Sequence, residues 1–208
     1  MREPACIAII AVNARARCKT RLAGLLGVDG RVALARAMLA RVLAAARATP
    51  AVDAVLVVSP ERDRVPRDVP VIEDGGVGLN EAMEAGRREA RGRGAMSLLL
   101  LPADLPLLRP ADLDRLARTA GQGGVAIAPD RRGLGTNGLY LPAAATFDFR
   151  YGPGSRAWHE AEARRRGLPV RRVVARGLRA DLDTAEDVPV VLVDPGARTG
   201  FGMAASAS

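Results

Sequence analysis

The sequence predicts a single α/β domain, a three-layer sandwich with a mostly parallel sheet and a small strand-rich insertion. Three observations carry this. Near-continuous apolar runs at 5–12 (ACIAIIAV), 54–59 (AVLVVS) and 96–101 (MSLLLL) read as strands buried on both faces. Segments of helical periodicity, ten or more residues long, separate the strands, which is the spacing of βαβ units with right-handed crossovers. The chain has 208 residues, 49% hydrophobic and 26% charged, enough for one core and unlike a disordered, collagen-like or fibrous chain.

The elements follow in order. After the strand at 5–12 and an Arg-rich loop, Val32, Leu34, Met38, Leu39 and Leu43 fall at helical spacing within 29–48. The strand at 54–59 precedes a shorter one at 69–72 and a glycine-rich loop, 73–80, that opens a helix to about Arg93. The strand at 96–101 ends in Pro102-Ala103-Asp104, and Pro110 starts the next helix, since proline is tolerated where the amide is unpaired anyway. Strands are expected at 125–128, 138–141 and 170–174, a helix at 153–166 and a last short helix at 184–188. The insertion is placed between about Gly135 and Gly152. One domain over 1–193 is expected, with the small polar residues of 194–208 as a frayed tail.

No apolar run approaches the roughly 18–20 residues that span a bilayer, and the start lacks a basic region leading into a signal peptide. A soluble, cytoplasmic protein with no membrane partner is expected. Two cysteines, Cys6 and Cys18, are too few for a disulfide framework. The net charge is +8 and the pI about 10.9, which raises nucleic acid as a partner. Yet Arg31, Arg36, Arg41 and Arg47, then Arg87, Arg88, Arg91 and Arg93, are spread along helices without aromatic interleaving. Solvated helix faces are the plainer reading, and no nucleic-acid partner is expected. Of 31 basic residues only Lys19 is lysine. A chain that uses Arg for generic charge has a reason to keep one compact, mobile ammonium.

Ligands of open α/β sheets bind outside the carboxyl ends of the strands. The loop after the first strand carries Lys19, Thr20 and Arg21, a cationic segment suited to phosphate, although it lacks the GxxxxGK[ST] pattern. Asp104, held between Pro102 and Pro106 at a strand end, suits a divalent cation, for magnesium commonly takes one or two carboxylates plus substrate phosphates. Asp181 and Asp183 point the same way if the backbone there is extended, and could complete the set, while capping by Asp183 or Thr184 is the structural alternative. Two glycine-rich turns, 133–138 with Thr136 and 151–155 with Gly152 and Ser155, let amides approach an anion. Five of six aromatics (Tyr140, Phe147, Phe149, Tyr151 and Trp158) lie nearby and read as packing more than as ligand stacking. His159 has no nucleophile to pair with, so it reads as a packing or hydrogen-bonding residue.

The order of these motifs, KTRL at 19–22, GLN at 78–80, LPADLP at 101–106, GTN at 135–137, YGPGS at 151–155 and DLDTAED at 181–187, resembles one family over about residues 5–189. It is that of the phospholactate or phosphoenolpyruvate guanylyltransferases of deazaflavin coenzyme biosynthesis, within the molybdenum-cofactor-guanylyltransferase-like nucleotidyltransferases. The resemblance implies a nucleotide-diphospho-sugar-transferase-like, Rossmann-like fold. It also implies transfer of GMP from GTP to the phosphate of a three-carbon phospho-acid: phosphoenolpyruvate, 2-phospho-L-lactate or 3-phospho-D-glycerate. Diphosphate leaves. It further implies magnesium on Asp104, Asp181 and Asp183, phospho-acid contacts from Thr136, Gly152 and Ser155, a triphosphate cradle from Lys19, Thr20 and Arg21, and a guanine pocket that includes Gly78 and Asn80. Lys19, Arg21 and Asp104 are then the catalytic set. The implied partners are GTP, the phospho-acid and a downstream transferase that takes the unstable product, with a homodimer as the assembly to consider. The chain departs from the family at Asn13, where many relatives carry Lys.

The residue chemistry agrees. A substrate phosphate is already anionic, so no general base is needed, and no Ser/His/Asp or Cys/His set is evident. The alternatives are a guanylyltransferase for a molybdopterin-type acceptor, a basic nucleic-acid-binding α/β module, and a silent phospho-ligand sensor.

Overall fold

The computed structural model describes residues 5–14, 19–182 and 187. Its strands are β1 (Cys6–Ala11), β2 (Ala54–Val58), β3 (Val71–Ile72), β4 (Ser97–Pro102), β5 (Val125–Pro129), β6 (Thr136–Pro142) and β7 (Val170–Arg172). Its α-helices are α1 (Val28–Arg47), α2 (Leu79–Gly92), α3 (Pro110–Ala120), α4 (Ser155–Arg165) and α5 (Arg176–Arg179). Single 3-10 turns at Thr20–Leu22 and Arg62–Arg64 follow β1 and β2. The sheet order is β3-β2-β1-β4-β6-β5-β7.

Strand alternation builds the three layers, because successive side chains of a strand point to opposite faces. Cys6, Ala8 and Ile10 of β1, with Leu99 and Leu101 of β4, pack under α1, α3 and α5. Ile7 and Ile9, with Leu98 and Leu100, pack under α2 and α4 on the other face. At Gly86 of α2, an added Cβ would come within 2.4 Å of Ile9 Cγ2, so glycine is what lets that helix lie close on β1.

One expectation is corrected. The segment read as an insertion contributes β6, which lies inside the main sheet, antiparallel to both β4 and β5; the other four strand pairings are parallel. Residues 143–154 form no further strand. The helix α5 was not legible, being one turn in an Arg-rich stretch. It is seated by the buried Leu178 and by Gly177, whose missing Cβ would lie 2.7 Å from the Leu107 carbonyl oxygen. The expected helix at 184–188 and the tail at 194–208 lie outside the described residues, apart from Asp187. Asp187 accepts from the Arg131 guanidinium at 2.7 Å.

Among the described residues no helix is long and apolar enough to cross a membrane. Surface arginines sit one helical turn from a carboxylate in Arg93–Glu89 and Arg118–Asp114, the pattern of solvated helix faces.

Candidate active site

A cleft of about 390 Å³ opens at the carboxyl ends of β1 and β4. The antiparallel direction of β6 matters here. Leu100 of β4 is registered on Leu139, so the start of β6, Thr136 and Asn137, comes to the same sheet edge as the end of β4. The cleft is lined by Lys19, Thr20, Arg21, Asp104 and Asp181 from the loops, by Thr136 and Asn137, and by Tyr151, Gly152 and Ser155. Eight of the expected site residues therefore converge from segments as far apart as 19–21 and 181. Gly78 and Asn80 are not on this lining, although Leu79 between them is. Asp183 lies outside the described residues.

One wall is charged. Lys19 takes a left-handed backbone conformation (φ 47°), uncommon for a residue with a Cβ, which turns the chain into the Thr20–Leu22 turn. Its side chain is only 9% exposed, and Nζ lies 2.7 Å from Asp104 Oδ2. The Leu182 amide donates to the Asp104 carbonyl at 3.3 Å, which brings the Asp181 segment up to the end of β4. Arg36 of α1 and the buried Arg64 also line this side. The Arg64 guanidinium donates to the carbonyl of Asn13, so a cation stands beside the end of β1. Sequence reasoning missed both. In a chain with thirty arginines nothing marks these two, and only the fold brings them to the cleft.

The opposite wall is held by packing and, apart from the Asp130 carboxylate beside Gly135, is neutral. Gly152 (φ 125°) and Gly154 (φ 75°) adopt conformations that favour glycine and open α4, whose N-terminus suits an anion. The Tyr151 amide donates to Asn80 Oδ1 at 2.6 Å, so the Asn80 side chain fixes this turn. His159 is fully buried within 6 Å of the Phe147, Tyr151 and Trp158 rings, and Phe147 and Tyr151 each pack at a tilt against Phe149. The packing reading of the aromatics holds for these four. Tyr140 stands apart, donating its hydroxyl to Ser97 at the other end of β4. Burial pushes the His159 imidazole down to about 4 and the Tyr151 phenol well above its ordinary value, so both are neutral near pH 7. The Asn137 amide nitrogen and the Tyr151 hydroxyl are buried without a hydrogen-bond partner among the described residues. Buried polar groups without partners are costly. At a cleft, they fit a bound ligand rich in acceptors. Asn137 was named only within the GTN motif, and that motif is the signal that could have promoted it.

No group of three or more His, Cys, Asp or Glu able to hold a metal ion occurs among the described residues. Asp104 and Asp181 nonetheless offer hard oxygen donors at one cleft, a donor set that fits magnesium when substrate phosphates complete it.

Solved structures share this architecture. A protein of Desulfovibrio desulfuricans G20, solved as a candidate nucleotide-diphospho-sugar transferase, superimposes with a TM-score of 0.78 at 17% identity, covering 94% of this chain and 92% of that one. A nucleotidyl transferase of Methanothermobacter gives a TM-score of 0.64 at 24% identity, covering 89% and 95%. The sheet order, the cleft at its carboxyl edge and the relatives below make this chain a nucleotidyltransferase. The phosphoenolpyruvate guanylyltransferase of Sphaerobacter thermophilus is 40% identical over 186 residues, 88% of this chain and 90% of the relative. That of Conexibacter woesei is 41% identical over 189 residues, 87% and 84%. The family described as guanylyl transferase CofC like matches residues 6–199, and the chain belongs to that family.

Proposed function

We propose that the protein transfers GMP from GTP to the phosphate of phosphoenolpyruvate, releasing diphosphate. The observation that carries this is the pairing, across one cleft, of a charged wall (Lys19, Arg21, Asp104 and Asp181) with a donor-rich wall (Thr136, Asn137, Gly152 and Ser155) whose one carboxylate is Asp130. Phosphoenolpyruvate is the acceptor named in the relatives, and it carries acceptors but no hydroxyl, which suits a wall of donors. 2-Phospho-L-lactate and 3-phospho-D-glycerate share its carboxylate and phosphate. The hydroxyl of phosphoglycerate would need an acceptor as well.

In the reaction a phosphate oxygen of the acid attacks the α-phosphorus of GTP. A new P–O bond forms, the α–β bridging bond breaks, and diphosphate leaves with the electron pair. The nucleophile is already an anion, so no residue has to remove a proton. The work of the protein is alignment and charge neutralisation between two anions that repel each other. Lys19 and Arg21 face the triphosphate, Lys19 as a mobile point charge and Arg21 as a planar fork. Thr136, Ser155 and the α4 N-terminus orient the acid. Asp104 and Asp181 would hold magnesium, which when bound neutralises phosphate charge.

The test is diphosphate release from GTP and magnesium with each of the three acids in turn, and with ATP in place of GTP. Diphosphate formed only with GTP, and fastest with phosphoenolpyruvate, is the expected result. Release without any acceptor, or with none of the three, overturns the reading.

A further inference from the structure

His159 is the only histidine in the chain. It does not line the cleft, yet its two ring nitrogens join the two segments that form the neutral wall. The backbone N–H of Arg150 donates to Nε2 at 3.1 Å, and Nδ1 lies 3.0 Å from the Thr136 hydroxyl. A backbone amide can only donate, so Nε2 is the unprotonated nitrogen. A neutral imidazole carries one N–H, which therefore sits on Nδ1 and points at Thr136 Oγ1. Burial keeps the ring neutral, with Glu162 opposing the shift only in part. The Thr136 hydroxyl makes no other hydrogen bond among the described residues, and it lines the cleft. Having accepted from His159, it has its own proton left to donate.

We infer that His159 is a positioning residue for the acceptor. Through its Nδ1–H tautomer it makes the Thr136 hydroxyl a fixed donor toward the cleft, and through Nε2 it clamps the turn before α4 against the start of β6. The group so recognised is an unprotonated oxygen, a carboxylate or phosphate oxygen of the acid. This rests on the proposed function and deepens it. The buried, unpartnered Asn137 amide on the next residue presents a second donor of the same kind.

Two readouts test it, one of which needs no turnover. A single histidine gives unambiguous imidazole nitrogen signals in NMR of the intact chain. At pH 7 the Nδ1 signal should be that of a protonated ring nitrogen and the Nε2 signal that of an unprotonated one. The opposite tautomer, or an imidazolium, overturns the inference whatever the substrate proves to be. The second readout is kinetic. His159→Phe keeps the aromatic packing and deletes both hydrogen bonds, whereas His159→Gln keeps one donor and one acceptor. With His159→Phe, the KM for phosphoenolpyruvate should rise about tenfold while that for GTP stays within about twofold, and His159→Gln should recover most of the loss. In a Thr136→Val background, His159→Phe should add clearly less than it costs in the parent, because the Nδ1 arm acts through that hydroxyl and only the Nε2 clamp is left to lose. Equal rises in both KM values, no recovery by glutamine, or full additivity with Thr136→Val each overturn it. A parent protein that makes no diphosphate from GTP and phosphoenolpyruvate overturns only the proposed function and leaves the tautomer result standing.

Discussion

The two walls of the cleft are built by opposite means. On one side are ionic groups, most of them on loops: Lys19 on Asp104, with Arg21 and Asp181 around them and Arg36 from α1. On the other are neutral groups whose orientation is set from behind, Thr136 by His159 and the Tyr151 turn by Asn80. The difference teaches a division of labour. On the proposed function, charge facing the phosphates is carried by long side chains, and a small acid is measured by short groups held from behind. Loss of a charge should therefore appear in turnover, and loss of a buried support in the affinity for the acceptor.

The largest effect should come from the charged wall. Asp104→Asn should lower turnover about a hundredfold or more, about 2.7 kcal/mol, in a chain that still folds but melts somewhat lower because Lys19 loses its counter-charge. A loss below about tenfold would remove Asp104 from the metal site and move the comparison toward Lys19. The second concerns the neutrality of the packed wall. Burial lowers the His159 pKa from its ordinary 6.5 to about 4, so between those values the unfolded chain binds the extra proton. The stabilising contribution of the neutral ring is complete above about pH 6.5 and lost as pH falls toward 4, at up to about 1.4 kcal/mol per pH unit. Denaturant melts of the parent and His159→Gln should diverge over that window alone. Parallel curves would mean the ring is charged or solvated in the folded state.

Next, Lys19→Arg should cost about tenfold in turnover, since a planar guanidinium cannot occupy the site of a point charge. Activity equal to the parent would show that the charged wall needs only positive charge. The smallest effect is Asn80→Ala. It removes one hydrogen bond to the Tyr151 amide, so the KM for phosphoenolpyruvate should rise about two- to tenfold with that for GTP unchanged. A rise confined to GTP would return Asn80 to the guanine pocket and assign α2 to the other wall.

Much of this was legible in the sequence, for identifiable reasons. Strands buried on both faces leave unbroken apolar runs, so β1, β2 and β4 were plain, as was Asp104 at the end of one of them. The lone lysine drew attention by residue usage, and it does meet Asp104. The direction of β6 left no trace, because a strand reads the same in either sense and only its partners decide. Its position was therefore mistaken for an insertion. Arg64 and Arg36 were hidden among chemically identical neighbours. The link from His159 to Thr136 spans 23 residues and two elements, and no spacing rule reaches that far.

The lone lysine has a consequence for labelling chemistry. The chain holds one ε-amine, and the fold puts it in the cleft, 9% exposed and ion-paired. Reagents that acylate amines, which decorate most proteins at many surface sites, have here one side-chain target besides the chain terminus. Acylation of Lys19 should be slow, because the amine must first lose its proton and leave Asp104. A bound nucleotide should slow it further. Peptide mapping after partial acylation then becomes a direct report of cleft occupancy, read from the natural sequence without an introduced tag.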